Sequence, residues 1–139
     1  MNTLDGLSLV APVRADTSAS ILVVDDELAV RRFAVRVLER EGYQVLEASD
    51  GVEAFELLKT HASVLAVIIS DIVMPRMNGV ELLQVVSVSH PDLPVILMSG
   101  YATAALAELG IAAPCSILSK PFSAERLMAE VQRCIRQPG

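Results

Sequence analysis

The chain has 139 residues, about the length of one domain, and this is enough to bury a single hydrophobic core. Its formal net charge is -6, so its overall field repels nucleic acid and anionic membranes, and neither is expected as a direct partner. Apolar residues make up 53% of the sequence, yet no uninterrupted apolar run approaches the roughly 18 residues of a membrane-spanning helix.

The N-terminal residues mix Gly, Pro, Ser and Asp with isolated apolar residues and show no helical or strand period. We therefore predict a flexible tail or linker over residues 1–19 and one folded domain over residues 20–137. The chain start lacks the basic residues and the continuous apolar stretch of a secretory signal, which favours a cytoplasmic location. Cys115 and Cys134 are accordingly expected to be reduced, small buried residues.

Short apolar runs alternate with amphipathic stretches from residue 21 onward, as in a parallel sheet covered by helices on both faces. The third run is apolar at every position, which is expected of a central strand buried on both faces. The five predicted strands are residues 21–24, 43–48, 64–69, 94–98 and 115–118.

The first two helices have recognisable ends. The first is predicted with Arg31 and Arg32 on its outer face, and Gly42 follows as its C-terminal stop. The second begins at Asp50, which is followed three residues later by Glu53, as at the start of a capping box. The apolar stripe of the first helix consists of Val30, Phe33, Ala34, Val37 and Leu38.

Three further helices complete the pattern. The third is predicted over about residues 79–87, the fourth is an Ala-rich stretch of about residues 103–109, and the fifth starts near Ser123. Five strand–helix units predict an α/β fold, a three-layer flavodoxin-like doubly wound sheet of five parallel strands in the order 2-1-3-4-5. In that order the ligand site lies at the carboxyl ends of strands one and three.

Polar residues interrupt the apolar pattern at the strand ends. Asp25 and Asp26 follow strand one, and Asp71 follows strand three. Ser99 ends strand four, and Lys120 follows strand five. Strands one, three, four and five are neighbours in the predicted order, so these side chains are expected to meet at one edge. Crowded carboxylates favour Mg²⁺, and a carboxylate, a metal ion, an ammonium and a hydroxyl suffice for phosphoryl transfer.

Four segments resemble the motifs of response-regulator receiver domains, and the resemblance covers about residues 20–136. The resemblance implies a signalling domain that catalyses only its own phosphorylation and dephosphorylation. The implied donor is a sensor histidine kinase or a histidine phosphotransfer protein. Residues 98–102 and Pro114 are similar to receivers attached to hybrid sensor kinases. The four segments are residues 21–27 (Ile-Leu-Val-Val-Asp-Asp-Glu), 70–79 (Ser-Asp-Ile-Val-Met-Pro-Arg-Met-Asn-Gly), 96–101 (Ile-Leu-Met-Ser-Gly-Tyr) and 120–122 (Lys-Pro-Phe).

The resemblance also implies a role for each residue of the acidic site. Asp71 is the phosphoacceptor and also a metal ligand. Asp26 binds Mg²⁺ directly, Asp25 binds it directly or through water, and Val73 offers its backbone carbonyl. We further predict that Val73 and Tyr101 shield the acyl phosphate from water.

The remaining site residues follow from strands four and five. By the same resemblance, Ser99 binds the phosphoryl group through its hydroxyl and Lys120 through its ammonium, and the Lys120–Pro121 bond is expected to be cis. Many receivers carry an aromatic residue three positions before the lysine. This chain has Ile117 there, so the usual aromatic relay is not expected.

Each motif alone also fits an ordinary structural role. Asp26 fits an N-cap of the first helix as well as it fits metal binding, and Asp71 and residues 78–79 fit a turn. Lys120 alone fits a helix-entry turn, and Ser99 a loop start. Agreement among the four motifs favours the receiver. Two alternatives stay open, a pseudo-receiver binding module and an aspartate-nucleophile phosphatase.

Output is expected through protein contact, because no DNA-binding segment follows Gly139, or else the chain is part of a larger molecule. Between Leu93 and Ser119 only Glu108 is charged, which predicts apolar surface around the fourth helix. In receivers the face made by the fourth helix, fifth strand and fifth helix often meets the partner. The sequence therefore predicts a protein interface at that face, and a homodimer is one form that it could take.

Overall fold

The sheet consists of five parallel strands, which lie side by side in the order 2-1-3-4-5 when they are numbered along the chain. The computed structural model describes residues 19–100 and 113–136. The predicted strand order is confirmed, and each predicted strand lies within two residues of an observed one. The strands are β1 (Ser20–Val24), β2 (Gln44–Ala48), β3 (Leu65–Asp71), β4 (Val95–Ser99) and β5 (Ser116–Ser119).

Four α-helices cover this sheet in the described part of the chain. None of them has both the length and the apolar character that crossing a bilayer requires. The fourth predicted helix, at 103–109, and the predicted tail up to residue 18 lie outside the described residues. The helices are α1 (Leu28–Arg40), α2 (Gly51–His61), α3 (Gly79–Ser89) and α4 (Ala124–Arg136), with a 3-10 turn at Ala62–Val64.

The core is divided by the sheet into two clusters because successive side chains of a strand point to opposite faces. All five residues of β1 are buried. Ile21 and Val23 pack in the cluster beneath α1 and α4, whereas Leu22 and Val24 pack beneath α2 and α3. Both faces of the central strands are therefore covered, which explains their continuous apolar sequence.

The end of α1 and the start of α2 follow the predicted signals, whereas the capping box at the start of α3 was not predicted. Gly42 adopts a positive φ of 96° just after α1, where a residue with a Cβ would be strained. The Asp50 side chain accepts a hydrogen bond from the Glu53 N–H and so caps α2. A complete capping box of Asn78 and Glu81 begins α3. The two N-terminal caps fix where α2 and α3 leave the loops at the carboxyl edge of the sheet.

Two details of α1 differ from the sequence prediction. Phe33, predicted in the buried stripe, is 39% exposed and stacks at a tilt on Phe122, with ring centroids 5.9 Å apart. Arg31, predicted on the outer face, has a side chain only 16% exposed because it forms an ion pair with Glu47 of β2. The reason is that α1 lies over the edge of the sheet, so its flanks meet different neighbours.

The prediction that both cysteines are reduced is wrong for this structure, because Cys115 and Cys134 form a disulfide. Cys115 leads into β5, and Cys134 lies on the buried face of α4. Packing of that helix against the sheet leaves their Cα atoms 6.1 Å apart, within the range of about 4.4–6.8 Å that a disulfide spans. The sequence argument relied on compartment and had no information on this distance.

Candidate functional site

The predicted site residues that fall in the described part of the chain lie at the carboxyl edge of the sheet. Asp25 directly follows β1, Asp71 is the last residue of β3, and Ser99 is the last residue of β4. Lys120 directly follows β5. The cleft that they border is lined by Asp26, Glu27, Asp71, Ile72, Val73, Ser99, Gly100 and Lys120.

Three carboxylates meet in this cleft. One oxygen from each of Asp25, Asp26 and Asp71 lies within 4.8 Å of the others. Asp25 and Asp71 are buried, whereas Asp26 is exposed. Carboxylate oxygens in a cleft open to solvent suit Mg²⁺, which prefers oxygen ligands and retains several waters. The donor set therefore fits a hard divalent cation.

Lys120 is the cation that the protein itself supplies to these carboxylates. Its Nζ lies 3.1 Å from Asp25 Oδ2 and 3.2 Å from Asp71 Oδ1. One ammonium offsets one of the three negative charges. The cluster therefore keeps an excess of negative charge that a divalent cation would neutralise.

The titration of Asp71 and Lys120 reflects this crowding. Burial, reinforced by the nearby negative charge of Asp25, raises the pKa of Asp71 above its ordinary value, although Lys120 opposes the shift. For Lys120, burial acts to lower the pKa, but the hydrogen bond to Asp25 and the charges of both carboxylates raise it overall. The lysine is therefore held charged, whereas ionisation of Asp71 is disfavoured by its surroundings.

The turn after β1 is held by its own backbone and by α1. Asp25 Oδ1 accepts a hydrogen bond from the Glu27 N–H at 2.8 Å, and the Asp25 N–H donates to the Ala48 carbonyl at 3.1 Å. Arg31 Nη1 donates to the Asp25 carbonyl at 2.7 Å. Glu27 occupies the N-cap position of α1 and no side chain caps it, so the alternative role of Asp26 as N-cap is wrong.

The loop after β3 is closed at both ends. The Ile72 N–H donates to the Met98 carbonyl at 3.1 Å, and the Gly79 N–H donates to the Ile72 carbonyl at 2.9 Å. A Cβ at residue 79 would overlap the Asp71 carbonyl, so only glycine allows this closure. Val73 lies inside the closed loop, lines the cleft and is 56% exposed.

The other wall of the cleft is formed by β4 and β5. Ser99 is buried, and its carbonyl accepts a hydrogen bond from the Lys120 N–H at 2.9 Å. The predicted cis bond between Lys120 and Pro121 is present. Tyr101, the second residue of the predicted shield, lies outside the described residues, so the shielding of the site stays a prediction.

The sequence did not reveal the residues that hold the loops around the site. The helical pattern predicts Arg31 on the outer face of α1, and no motif assigns a role to Arg76, which interrupts the apolar and turn residues after Asp71. In the structure Arg76 is bound to Asp50, 26 residues away in the sequence. A charged residue in the middle of a site loop is a signal that could have marked Arg76.

A family model for the response regulator receiver domain matches residues 21–132. The chain belongs to this family. Receivers are signalling domains of two-component systems and not classical enzymes, and the family resemblance seen in the four sequence motifs is confirmed.

Curated relatives include both isolated and embedded receivers. The chain is 41% identical over 121 residues to the sensor kinase CckA of Brucella abortus (strain 2308), with 86% of this chain aligned. It spans only 13% of the length of that kinase. It is 34% identical to the response regulator receiver protein CpdR of the same organism, covering 83% of this chain and 95% of that protein.

Solved structures support the same fold. A response regulator receiver domain protein from Clostridium thermocellum superposes with a TM-score of 0.76 at 30% identity, covering 86% of this chain and 95% of that one. The receiver domain of the hybrid histidine kinase CckA superposes with a TM-score of 0.69 at 36% identity, covering 83% of this chain and 97% of that one. The flavodoxin-like receiver fold is therefore shown by sequence and by structure.

Proposed function

We propose that Asp71 accepts a phosphoryl group from the phosphohistidine of a sensor histidine kinase or a histidine phosphotransfer protein, with Mg²⁺ as cofactor. The observation that carries this proposal is the position of Lys120, whose ammonium lies within 3.2 Å of both Asp25 and Asp71. The Lys120 ammonium contacts the acceptor carboxylate in an open cleft. It can exchange one of its carboxylate contacts for a contact with a phosphoryl oxygen.

The chemistry asks little of the protein beyond position and charge. A carboxylate oxygen of Asp71 forms the new bond to phosphorus as the bond from phosphorus to the histidine nitrogen breaks. The imidazole leaves with the electron pair of that bond and is neutral because its other ring nitrogen carries a proton. Lys120 and the hydroxyl of Ser99 would hold phosphoryl oxygens during the transfer.

Asp25, Asp26, Asp71 and the backbone carbonyl of Val73 are the proposed metal ligands. A bound Mg²⁺ would supply positive charge against the phosphoryl oxygens. The fit rests on the carboxylate oxygens of the three aspartates, which lie within 4.8 Å of one another, and on the negative charge that Lys120 leaves uncompensated. Burial of Asp25 and Asp71 makes that charge costly without a cation.

The two alternatives carry less support. A phosphatase of the aspartate-nucleophile type needs a second carboxylate two residues after the nucleophile, and Asp71 is followed by Ile72 and Val73. A pseudo-receiver would have no use for an acidic cluster in which burial and the charges of Asp25 and Asp26 raise the pKa of Asp71. The phosphoacceptor role accounts for the complete set of charged groups.

Intact-mass analysis tests the proposal. The protein is incubated with acetyl phosphate and Mg²⁺, and we expect one phosphoryl group on the native chain and none on Asp71→Asn. Asp92→Asn, which removes an exposed carboxylate outside the cleft, serves as the control and is expected to be modified. Labelling of Asp71→Asn to the native extent would move the acceptor to another residue, and no labelling of the native chain in the presence of Mg²⁺ would refute the proposal.

An apolar groove beside the cleft supports a protein donor. It is formed in part by Val30, Phe33 and Phe122, and it borders Lys120. A donor that buries apolar side chains there would hold its phosphohistidine near Asp71. We expect Phe33→Ala to slow transfer from a phosphotransfer protein by at least about tenfold, with labelling by acetyl phosphate unchanged. Equal rates of phosphoryl transfer from the protein donor to the native chain and to the variant would rule out this docking site.

Output is proposed to pass through protein contact, including self-association. β5 forms one edge of the sheet and α4 packs behind it, so this corner is available to a partner in the described structure. The fourth predicted helix, which would complete the surface, lies outside the described residues. Light scattering with and without beryllofluoride tests this, because a monomer under both conditions at high concentration would contradict a homodimer.

We propose the cytoplasm as the location and an origin either as a separate regulator or as part of a hybrid kinase, as the alignment to CckA suggests. The disulfide argues in the opposite direction, since cytosolic thiols are normally kept reduced. Alkylation of thiols at the moment of cell lysis tests the location. Reduced cysteines in the cell fit the cytoplasm, whereas a complete disulfide would point to an oxidising compartment.

A further inference from the structure

The loop of residues 72–78 connects the proposed phosphoacceptor to α3 and carries Val73 into the cleft. Its ends are fixed by backbone hydrogen bonds from Ile72 and Gly79. Met74 anchors its inner side, since it is only 8% exposed and packs in the core beneath α2 and α3. Its outer turn needs a separate attachment, because Arg76 and Val73 are both largely exposed.

That attachment comes from the first residues of α2. Arg76 donates from Nε and from Nη2 to Asp50 Oδ2, at 2.8 Å and 2.6 Å. The Gly51 N–H donates to the Met77 carbonyl at 2.9 Å, and a Cβ at residue 51 would overlap that carbonyl. One ion pair and one backbone hydrogen bond therefore hold the loop against the start of α2.

Arg76 has an uncommon backbone conformation, and the Asp50 side chain that binds it is almost fully buried. Arg76 has a φ of 68°, a left-handed conformation that residues with a Cβ rarely adopt. The Asp50 side chain is only 7% exposed, and its other oxygen caps α2 through the Glu53 N–H. A strained turn persists only where its surroundings hold it, and Asp50 is the charged group that holds this one.

We propose that Arg76 and Asp50 are positioning residues for the metal site, and that their ion pair holds residues 72–78 so that the Val73 carbonyl is available to a cation. The inference rests on the proposed function, because it assumes that Mg²⁺ binds at the three carboxylates. Neither residue lines the cleft, so their influence on the cation passes through the position of the loop.

Charge alone makes the opposite prediction for one of the two residues. Removal of the Arg76 cation makes the protein more negative and, by simple electrostatics, strengthens binding of a cation. Removal of the Asp50 anion weakens it by the same reasoning. A positioning role predicts weaker binding in both cases, and it predicts that the double variant is no weaker than either single variant.

Calorimetric titration of MgCl₂ into the metal-free protein is the test. For Arg76→Ala and for Asp50→Asn we expect Mg²⁺ affinity to fall about tenfold, at the low end of what outer-shell partners cost. Arg76→Gly removes the ion pair and fits a φ of 68° without strain, so it separates the contact from the backbone conformation. We expect it to bind as weakly as Arg76→Ala.

Arg126→Ala is the matched control. Arg126 is 58% exposed against 61% for Arg76, it also pairs with a carboxylate, and it lies on α4 away from the loop. The control is expected to bind Mg²⁺ within about twofold of the native protein, in line with weak surface pairs. A second readout is labelling by acetyl phosphate, where the Mg²⁺ concentration for half-maximal rate should rise while the rate at saturating Mg²⁺ is retained.

Two results would overturn the inference. One is native-like or tighter Mg²⁺ binding in Arg76→Ala, which is the electrostatic outcome, and the other is native-like binding in Arg76→Gly. Both leave the proposed function intact, because the native protein still binds the cation. Absence of Mg²⁺ binding by the native protein would instead refute the proposed function, and the positioning role with it.

Discussion

Two sites with buried or partly buried carboxylates lie at opposite ends of β5, and they differ in how the negative charge is compensated. At its start, Glu130 of α4 accepts a hydrogen bond from Ser116 and pairs with Arg126 and Arg133. Just past its end, Lys120 is the one cationic side chain among the described residues that pairs with Asp25 and Asp71. Glu130 therefore has two cationic partners for one negative charge, whereas Asp25 and Asp71 share one cationic partner.

The pKa values of Glu130 and Asp71 are shifted in opposite directions from their ordinary values. The Ser116 hydrogen bond, helped by the two arginines against burial, lowers the pKa of Glu130, whereas burial and Asp25 raise the pKa of Asp71. A lowered acid pKa means that the charged form stabilises the fold, and a raised one means that it costs stability. The contrast separates a structural carboxylate from one kept in a crowded state, as functional sites often are.

The largest effect is expected at the compensated end, where the Cys115–Cys134 disulfide closes a loop with a sequence separation of 19. Restricting the unfolded chain over that separation contributes about 3 kcal/mol to the unfolding free energy. We expect that amount to be lost in Cys115→Ser with Cys134→Ala, measured by urea unfolding against the oxidised native chain. Free thiols in protein purified without reductant, or equal midpoints, would contradict the structure at this corner.

At the crowded end a substitution should stabilise the fold. In EDTA at neutral pH, Asp71→Asn is expected to raise the unfolding free energy by about 1–2 kcal/mol, since relief of burial and of repulsion from Asp25 outweighs the lost contact with Lys120. The gain should shrink as the pH falls through the raised pKa of Asp71 in the fold, because the native carboxyl is then protonated as well. A less stable variant in EDTA would show that the three carboxylates are not in conflict.

The smallest effect is expected for Glu130→Gln, which should lower the unfolding free energy by about 0.5–1 kcal/mol at neutral pH. A lowered folded pKa gives stability that is present above the ordinary glutamate pKa of 4.5 and is lost as the pH falls through the lowered value. Native and variant should therefore converge in acid. Thermal melts at a series of pH values check this, and a difference that persists in acid would assign the effect to packing.

The sequence was sufficient for the strand order and for the convergence of residues because both depend on local patterns. Apolar runs such as β3 and the cap residue Asp50 mark element ends, and the parallel order then brings those ends together. The roles assigned to Asp71 and its neighbours stay predictions that the measurements proposed above address.

Contacts between elements distant in sequence could not be predicted in the same way. The disulfide depends on how α4 packs on β5, and the pairing of Arg76 with Asp50 depends on how α2 meets the loop after β3. Phe33 fits a helical stripe but is 39% exposed and contacts Phe122, which follows the end of β5. Periodicity determines which face of a helix is apolar, and only tertiary packing determines how far that face is covered.

The central claim is that Asp71 is the carboxylate that takes the phosphoryl group. Acyl phosphates are reduced by borohydride, so treatment of the acetyl-phosphate-labelled chain followed by peptide mapping converts the acceptor aspartate to homoserine at its own position. We predict homoserine at position 71 only in the presence of Mg²⁺, with Asp25 and Asp26 unchanged. Homoserine at either of those positions, or its absence from a fully phosphorylated chain, would contradict the account.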